Sequence, residues 1–532
     1  MSSPGSQGFA ICPTSRHLAR TLGARRLITR KPADRRRKPV HALVPVSHMS
    51  VNLASQPFAE AASSARPMVR DFHDWTRDMA QIDGFGQQTT VASQAAMTAW
   101  NATQLAFLAH GAATPTHLAA ALEAEPEFAL AHATKGLFLL LLARRELVAT
   151  AQEACAAARR SDANRPVSHR ERAFIDALDV WIAGFPTKSV AILDGVLDLA
   201  PDDALAMKIN QAIRFVLGDA QGMRRSIEAV LHAYAEDHAA RGYVLGCHAF
   251  TLEETGEYGR AASAGSAALE ISPDDAWGLH AVAHVYDMTG NPDKGLRWLS
   301  GREAAWAHCN NFRFHVWWHK ALMHLDLGQT DTVLELYDTL IRAEHTDDYR
   351  DISNATSLLM RLELDGVDVG TRWEELADTS QSRTEDGSLI FADLHYLLAL
   401  IGGRREEAAA ELVARIAADG ARAGSDAGMR MGNPGTAAAR GLEAFGDGHY
   451  DVAFRNLSRA RRHMQLVGGS HAQRDVFERL TIDAGIRAGR MDDALTMLDE
   501  RTTRRAGRDD SFAATRRNMA ELAANPLRVP AE

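Results

Sequence analysis

The feature that most constrains this chain is a spacing. Counting from Gly242, Ala249 is the eighth residue, Ala261 the twentieth, Ala268 the twenty-seventh and Pro273 the thirty-second, with Gly256 between the two halves. The same beat returns from Ala276 (Ala283, Tyr286, Gly290), from Phe314 (Ala321, Gly328) and from Pro434 (Gly441, Gly448, Ala453, Leu457, Ala460). It returns from Leu389 with Gly403, Ala408 and Leu412, although Tyr396 stands at the eighth place, where a small residue is expected. A unit of about 34 residues with small residues at these places describes two closely crossing helices, a glycine turn between them and a proline ending the second. A chain merely rich in alanine would not keep its turn glycines in step. Such a unit cannot bury its apolar face alone, so neighbouring units must stack.

This is the grammar of a tetratricopeptide-like helical hairpin. The expected fold is an all-α solenoid of such hairpins, wound as a right-handed superhelix. The intervening segments agree: Ala173, Phe174, Ala177, Leu178 and Trp181 fall at helical spacing, and Pro186, Pro201 and Pro273 mark helix boundaries. No β-branched alternation suggests a sheet. Regularity breaks at 365–370 and 379–387, and the Gly/Ala-rich stretch 419–435 reads as a long loop over the groove. The expected organisation is a basic leader at 1–48, a lead-in at 49–90, the tetratricopeptide-like solenoid at 91–526 and a tail at 527–532.

Charge separates the leader from the rest. Ten Lys/Arg against Asp34 give residues 1–48 a net +9, so the whole-chain net of −9 leaves −18 on the remainder. A strongly acidic body argues against nucleic acid as the main partner, because phosphate binding needs basic surface. Three readings fit the leader: a disordered arm, an organellar targeting peptide, or a start placed too far upstream of Met49. Each leaves it outside the fold. The four cysteines, Cys12, Cys155, Cys247 and Cys309, form no CxxC pair, which points to a reducing compartment and a cytoplasmic protein. No apolar run has the length of a membrane-spanning helix, so no membrane partner is expected.

Chemistry-bearing residues concentrate in the middle units. His280 and His284 stand four apart, as do His315 and His319, so each pair shares one helix face. In tetratricopeptide hairpins these first-helix places tend to line the concave groove. Three readings fit: a divalent-metal site with Asp287, Glu253, Glu254 or Asp326 adding a carboxylate; a metal-free ligand or catalytic site; or histidines that merely pack. Neither pair has the His-Glu-x-x-His form of a zinc protease. Trp298, Trp306, Trp317 and Trp318 cluster nearby. Trp317 takes a core-type place, and Trp318 is the better groove candidate. Farther on, Gly468-Gly469-Ser470-His471-Ala472-Gln473-Arg474-Asp475 reads as a helix stop followed by a capping box. His471 and Arg474 beside that helix start form a candidate anion site; the plain alternative is a local Arg474–Asp475 pair. His395 and Asp393 are further candidates for the groove.

The block from His280 to Gly290, then Trp298-Leu299, His315 to His319 with Ala321-Leu322, and Gly468 to Phe477 together resemble the tetratricopeptide repeat protein 38 family. The similarity runs from about Asp71 to Ala524. It implies the solenoid fold and no particular reaction.

The sequence therefore predicts a helical-repeat protein binding a small molecule, or a peptide or protein segment, in a His/Trp-lined groove. Its ligand-binding candidates are His280, His284, His315, Trp318, His319, His395, His471, Arg474 and Asp475. No metal is assigned, and His280, His284, His315 and His319 are the set that would hold a divalent ion if one binds. Two other classes stay open: an enzyme (a hydrolase or lyase) using the paired histidines, and a protein–protein scaffold.

Overall fold

The computed structural model describes residues 81–422 and 424–524, so the basic leader, most of the lead-in and the tail lie outside the described residues. A two-residue antiparallel pair, Gln81–Ile82 with Gln88–Thr89, opens this part. Helices follow almost without interruption. Gln94–Leu108, Ala129–Leu141, His169–Ile182 and Ala204–Val216 are first helices of successive hairpins, each packed on the helix after it. The same alternation continues with Arg241–Glu254, Ala276–Met288, Phe312–Asp326, Tyr349–Leu364, Ile390–Gly402, Thr436–Gly446 and His471–Arg487. Ser511–Ala524 covers the last pair. The fold is an all-α, tetratricopeptide-like solenoid of helical hairpins.

The small residues behave as their places require. Ala249, Ala261, Ala268, Ala283, Ala321 and Ala453 are fully buried where helices cross. A Cβ on Gly441 would lie 2.7 Å from Leu457. Gly256, Gly290 and Gly328 end first helices in the left-handed region that glycine tolerates best. The Leu389 unit departs twice: Tyr396 is buried at the small place, and the left-handed turn residue is Arg404, not Gly403. The stretch 419–435 is not a long loop. Glu406–Arg422 extends through its start, Ser425 caps a short helix at Asp426–Arg430, and a kinked turn at Met431–Gly435, with extended backbone at Asn433, follows.

The described residues belong to one compact unit, and its two halves touch. Asp426 donates its backbone N–H to the Gly184 carbonyl at 3.0 Å, and its carboxylate accepts from the Thr187 N–H at 2.8 Å. Arg383 pairs with Glu146 at 2.8 Å and Arg145 with Glu385 at 3.3 Å. Gly218 approaches the Gln465 carbonyl so closely that a Cβ there would sit 1.8 Å from it. Tyr258 donates to the Arg504 carbonyl at 2.8 Å, and Ser511 N–H donates to Asp326 at 2.7 Å. The later hairpins thus fold back onto the earlier ones, meeting them largely at the turns between helices.

Candidate functional site

Five helices aim polar side chains at one place. Arg241–Glu254 contributes Glu253 and Glu254, Ala276–Met288 contributes His280 and His284, and Phe312–Asp326 contributes His315 and His319. Asn354 comes from Tyr349–Leu364, and His471 from the first turn of His471–Arg487. The i, i+4 spacing sets each histidine pair on one face, and stacking brings the two faces together.

The four imidazoles meet through their Nε2 atoms. His284 Nε2 lies 2.8 Å from His280 Nε2, which lies 3.0 Å from His315 Nε2, which lies 3.1 Å from His319 Nε2. One nitrogen from each ring falls within 4.8 Å of all the others. His280, His284 and His319 are buried, and His315 keeps slight exposure at the rim. Burial holds His280 and His319 well below the ordinary imidazole range and His315 at about 3, with neighbouring histidines adding to the effect.

The outer nitrogens decide the tautomers. His315 Nδ1 lies 3.0 Å from the Asn354 side-chain oxygen, and His284 Nδ1 lies 3.5 Å from a Glu253 carboxylate oxygen. The Asn354 oxygen places the His315 proton on Nδ1 and leaves a lone pair on Nε2, whereas the Glu253 carboxylate lies near His284 Nδ1 without a hydrogen bond to it. His280 Nε2 carries at most one proton, so at least one of its two contacts is not a hydrogen bond. The His280, His284 and His319 Nδ1 atoms are buried with no hydrogen-bond partner among the described residues.

Beside this cluster is a charged one. His471 sits between two carboxylates, with Nε2 2.7 Å from Glu253 and Nδ1 3.1 Å from Glu254. Burial opposes charge on the ring, yet the two carboxylates outweigh it and raise its pKa to about 9. Glu253 is likewise drawn down to about 2: burial pushes up, but His471 and His284 prevail. Arg474 adds a 3.4 Å contact to Glu254 and donates to the Gly468 carbonyl at 3.3 Å and to that of Gly469. The expected anion site at this helix start is thus filled by the chain's own glutamates. Asp475 does not pair with Arg474; it binds Arg479 at 2.7 Å and Arg501 at 2.9 Å. Ser470 and Gln473 form the expected capping box.

Other candidates fall elsewhere. His395 is buried between Phe391 and Phe477, with Nδ1 2.8 Å from the Phe391 carbonyl, and is not part of the converging set. Asp393 is held by Arg415 at 2.6 Å. Trp318 is fully buried, stacked on His315 and edge-on to His319, whereas Trp317 is only half-buried against Trp306. Trp318 thus faces the site histidines and Trp317 packs against the apolar core, although Trp318 is the more deeply buried of the two.

Sequence reasoning missed Asn354, one unit beyond His315 on the same inner row, because it stands in a polar run, Ser353-Asn354-Ala355-Thr356-Ser357, that sets no single residue apart. It also missed Lys208 and His110, whose side-chain nitrogens lie 3.1 Å apart, with His110 stacked on Trp277 and Phe312 beside His280. Nothing in their local sequence marks them.

No family model matches the chain. Solved structures with some likeness include a human IFIT1 dimer with PPP-AAAA (13% identity, 71% of this chain and 87% of that one, TM-score 0.32). Yeast Tom70 is another (11% identity, 82% and 89%, TM-score 0.30), as is Naa15/Naa10 bound to HypK-THB (14% identity, 81% and 65%, TM-score 0.23). At these scores none carries an argument about the site.

Proposed function

We propose that the chain is a helical-repeat binding protein built around a divalent transition-metal ion, held by the Nε2 atoms of His280, His284, His315 and His319. The observation that carries this reading is the convergence of four imidazoles, their Nε2 atoms linked by successive contacts of 2.8–3.1 Å and one nitrogen of each ring within 4.8 Å of the others. A tetrahedral ion with metal–nitrogen distances of about 2.0 Å has edges of about 3.3 Å, a few tenths of an ångström longer than those three contacts. One cation at the centre turns nitrogens that cannot all hydrogen-bond to one another into ligands. Imidazole suits zinc, copper, nickel or iron, and not magnesium or calcium. Four protein ligands leave no position for water, which favours a binding or structural centre over the hydrolase or lyase alternative. Covered as it is by the later hairpins, this surface accommodates an ion where it would not accommodate a peptide. Cys155, Cys247 and Cys309 are buried and unpaired, which suits the reducing conditions of a cytoplasm. No helix among the described residues is long and apolar enough to cross a membrane.

Metal analysis of the full chain after separate loading with zinc, cobalt, nickel and copper tests the reading. About one equivalent is expected, with the bands of tetrahedral cobalt in the visible spectrum. His280→Ala with His319→Ala should abolish both signals. Glu253→Gln, which keeps all four ligands, should weaken binding about 10- to 100-fold. Substoichiometric metal in the wild type, or unchanged content in the double variant, would end the proposal.

A further inference from the structure

A second feature lies on the outside, apart from the histidines. Helices Thr436–Gly446 and Tyr450–Arg461, with the turn Met431–Gly435 at one end, border a groove of about 600 Å³. Its charged lining is of one sign: Arg440, Arg455, Arg459 and Arg462, with His463 beside them. All five side chains are exposed. Arg455, Arg459 and Arg462 follow one another at steps of four and three, so they form a single stripe along the helix and its cap, and Arg440 faces them from the neighbouring helix.

Like charges at such spacing repel, and a helix normally relieves them with interleaved acids. This groove does not. Asp451 approaches Arg455 at 2.7 Å, while no ion pair holds Arg440, Arg459 or Arg462 among the described residues. By contrast, Arg461 on the same helix points away and is held by Glu478 and Glu500 at 2.7 and 2.5 Å. Many arginines elsewhere are matched with carboxylates, down to the buried Arg501–Asp510 contact at 2.6 Å, and the distinction of this groove is that several unmatched ones face one another. The floor between the cations is small and neutral: Thr436, Ala437 and Ser458, with the Ser458 hydroxyl enclosed and without a hydrogen-bond partner.

We infer that this groove is a docking site for an acidic peptide segment of a partner protein, read by Arg440, Arg459 and Arg462. Charge complementarity sets the class: guanidinium forks bind carboxylates in pairs of hydrogen bonds. The extent of the site sets its length, since three or four cations within one groove match a run of three or four carboxylates. A nucleic-acid strand needs a longer basic track than this to hold its successive phosphates. The groove and the four-histidine centre share no residue, so each proposal stands or falls alone.

The test is fluorescence anisotropy with the full chain and a fluorescein-labelled hexaglutamate peptide at low and moderate salt. Saturable binding is expected, weakening several-fold as salt rises. Arg459→Glu with Arg462→Glu should weaken it at least tenfold while leaving the metal content unchanged. These side chains are exposed and hold no other group, so the melting temperature should fall only by the small cost of acids at a helix C-terminus. A single-stranded oligonucleotide of equal length is the competitor, and sedimentation of each variant reports self-association. Three results would overturn the inference: no peptide binding, equal or tighter binding of the oligonucleotide, or a wild-type dimer that the charge reversals dissolve, since the occupant would then be a second copy of the chain.

Discussion

The His395 ring is enclosed by Phe391 and Phe477 and keeps one hydrogen bond, to the Phe391 carbonyl. Burial pulls its pKa down to about 4, outweighing that carbonyl, and the positive charge of Arg361 pushes the same way as burial. In the unfolded chain the ring titrates near 6.5. Between about pH 6.5 and 4 the unfolded state therefore takes up a proton that the folded state refuses, so stability drops as pH falls through that window and levels off below it. By pH 4.5 the expected loss from this residue is about 2–3 kcal/mol. Urea unfolding at pH 7 and pH 4.5 should show His395→Gln losing less than the wild type by roughly that amount. Equal losses would mean that the ring is already protonated in the folded protein. His395 also shows what a sequence conceals at this scale. The pairs His280/His284 and His315/His319 were legible because i, i+4 spacing fixes a face on a single helix. His395 carries no such mark, and whether it joins the cluster depends on stacking geometry that accumulates over several units.

Between elements, the deciding contacts are close approaches of backbone. Gly218 ends the helix Ala204–Val216 at φ +70°, where an added Cβ would meet the Gln465 carbonyl, and Gly468 faces the Val216 carbonyl in the same way at 2.4 Å. Gly256 has a similar left-handed backbone, but nothing lies within 4 Å of its Cβ direction. Gly256→Ala should therefore cost only the conformational strain, about 1 kcal/mol, whereas Gly218→Ala should cost about 2–4 kcal/mol because two turns must also separate. Denaturant midpoints of the two variants check this, and similar midpoints would show that the turns are not pressed together. The repeat register predicted Gly256 as a turn residue, because one unit suffices to recognise it. It said nothing of Gly218 and Gln465, which are 247 residues apart in number and meet only after the chain has come round. The stretch 419–435 failed for a different reason. Its glycines suggest a loop, yet Ser425 accepting from the Gly428 N–H starts a helix there, a local capping signal that the glycine count outweighed.

For the molecule as a whole, contact between the halves changes how the repeats share stability. In an open array each hairpin answers only to its neighbours, and unfolding can proceed from an end. Here Glu253 is tied to His471, Gly184 to Asp426 and Glu146 to Arg383, so no stretch of hairpins is bounded by neighbours alone. Helix content by circular dichroism and the fluorescence of tryptophans, several of which lie between Trp277 and Trp318, should therefore fall together in urea as one transition. Helix loss in two separated steps would show that the halves unfold independently. The tie from His471 to Glu253 also fixes arithmetic of another kind. A solenoid that ends in solvent can gain or lose a module and merely become longer or shorter. In this protein an inserted hairpin anywhere between Glu253 and Arg383 would carry all three of these partners one step out of reach, so the number of hairpins is set by the meeting of its two sides.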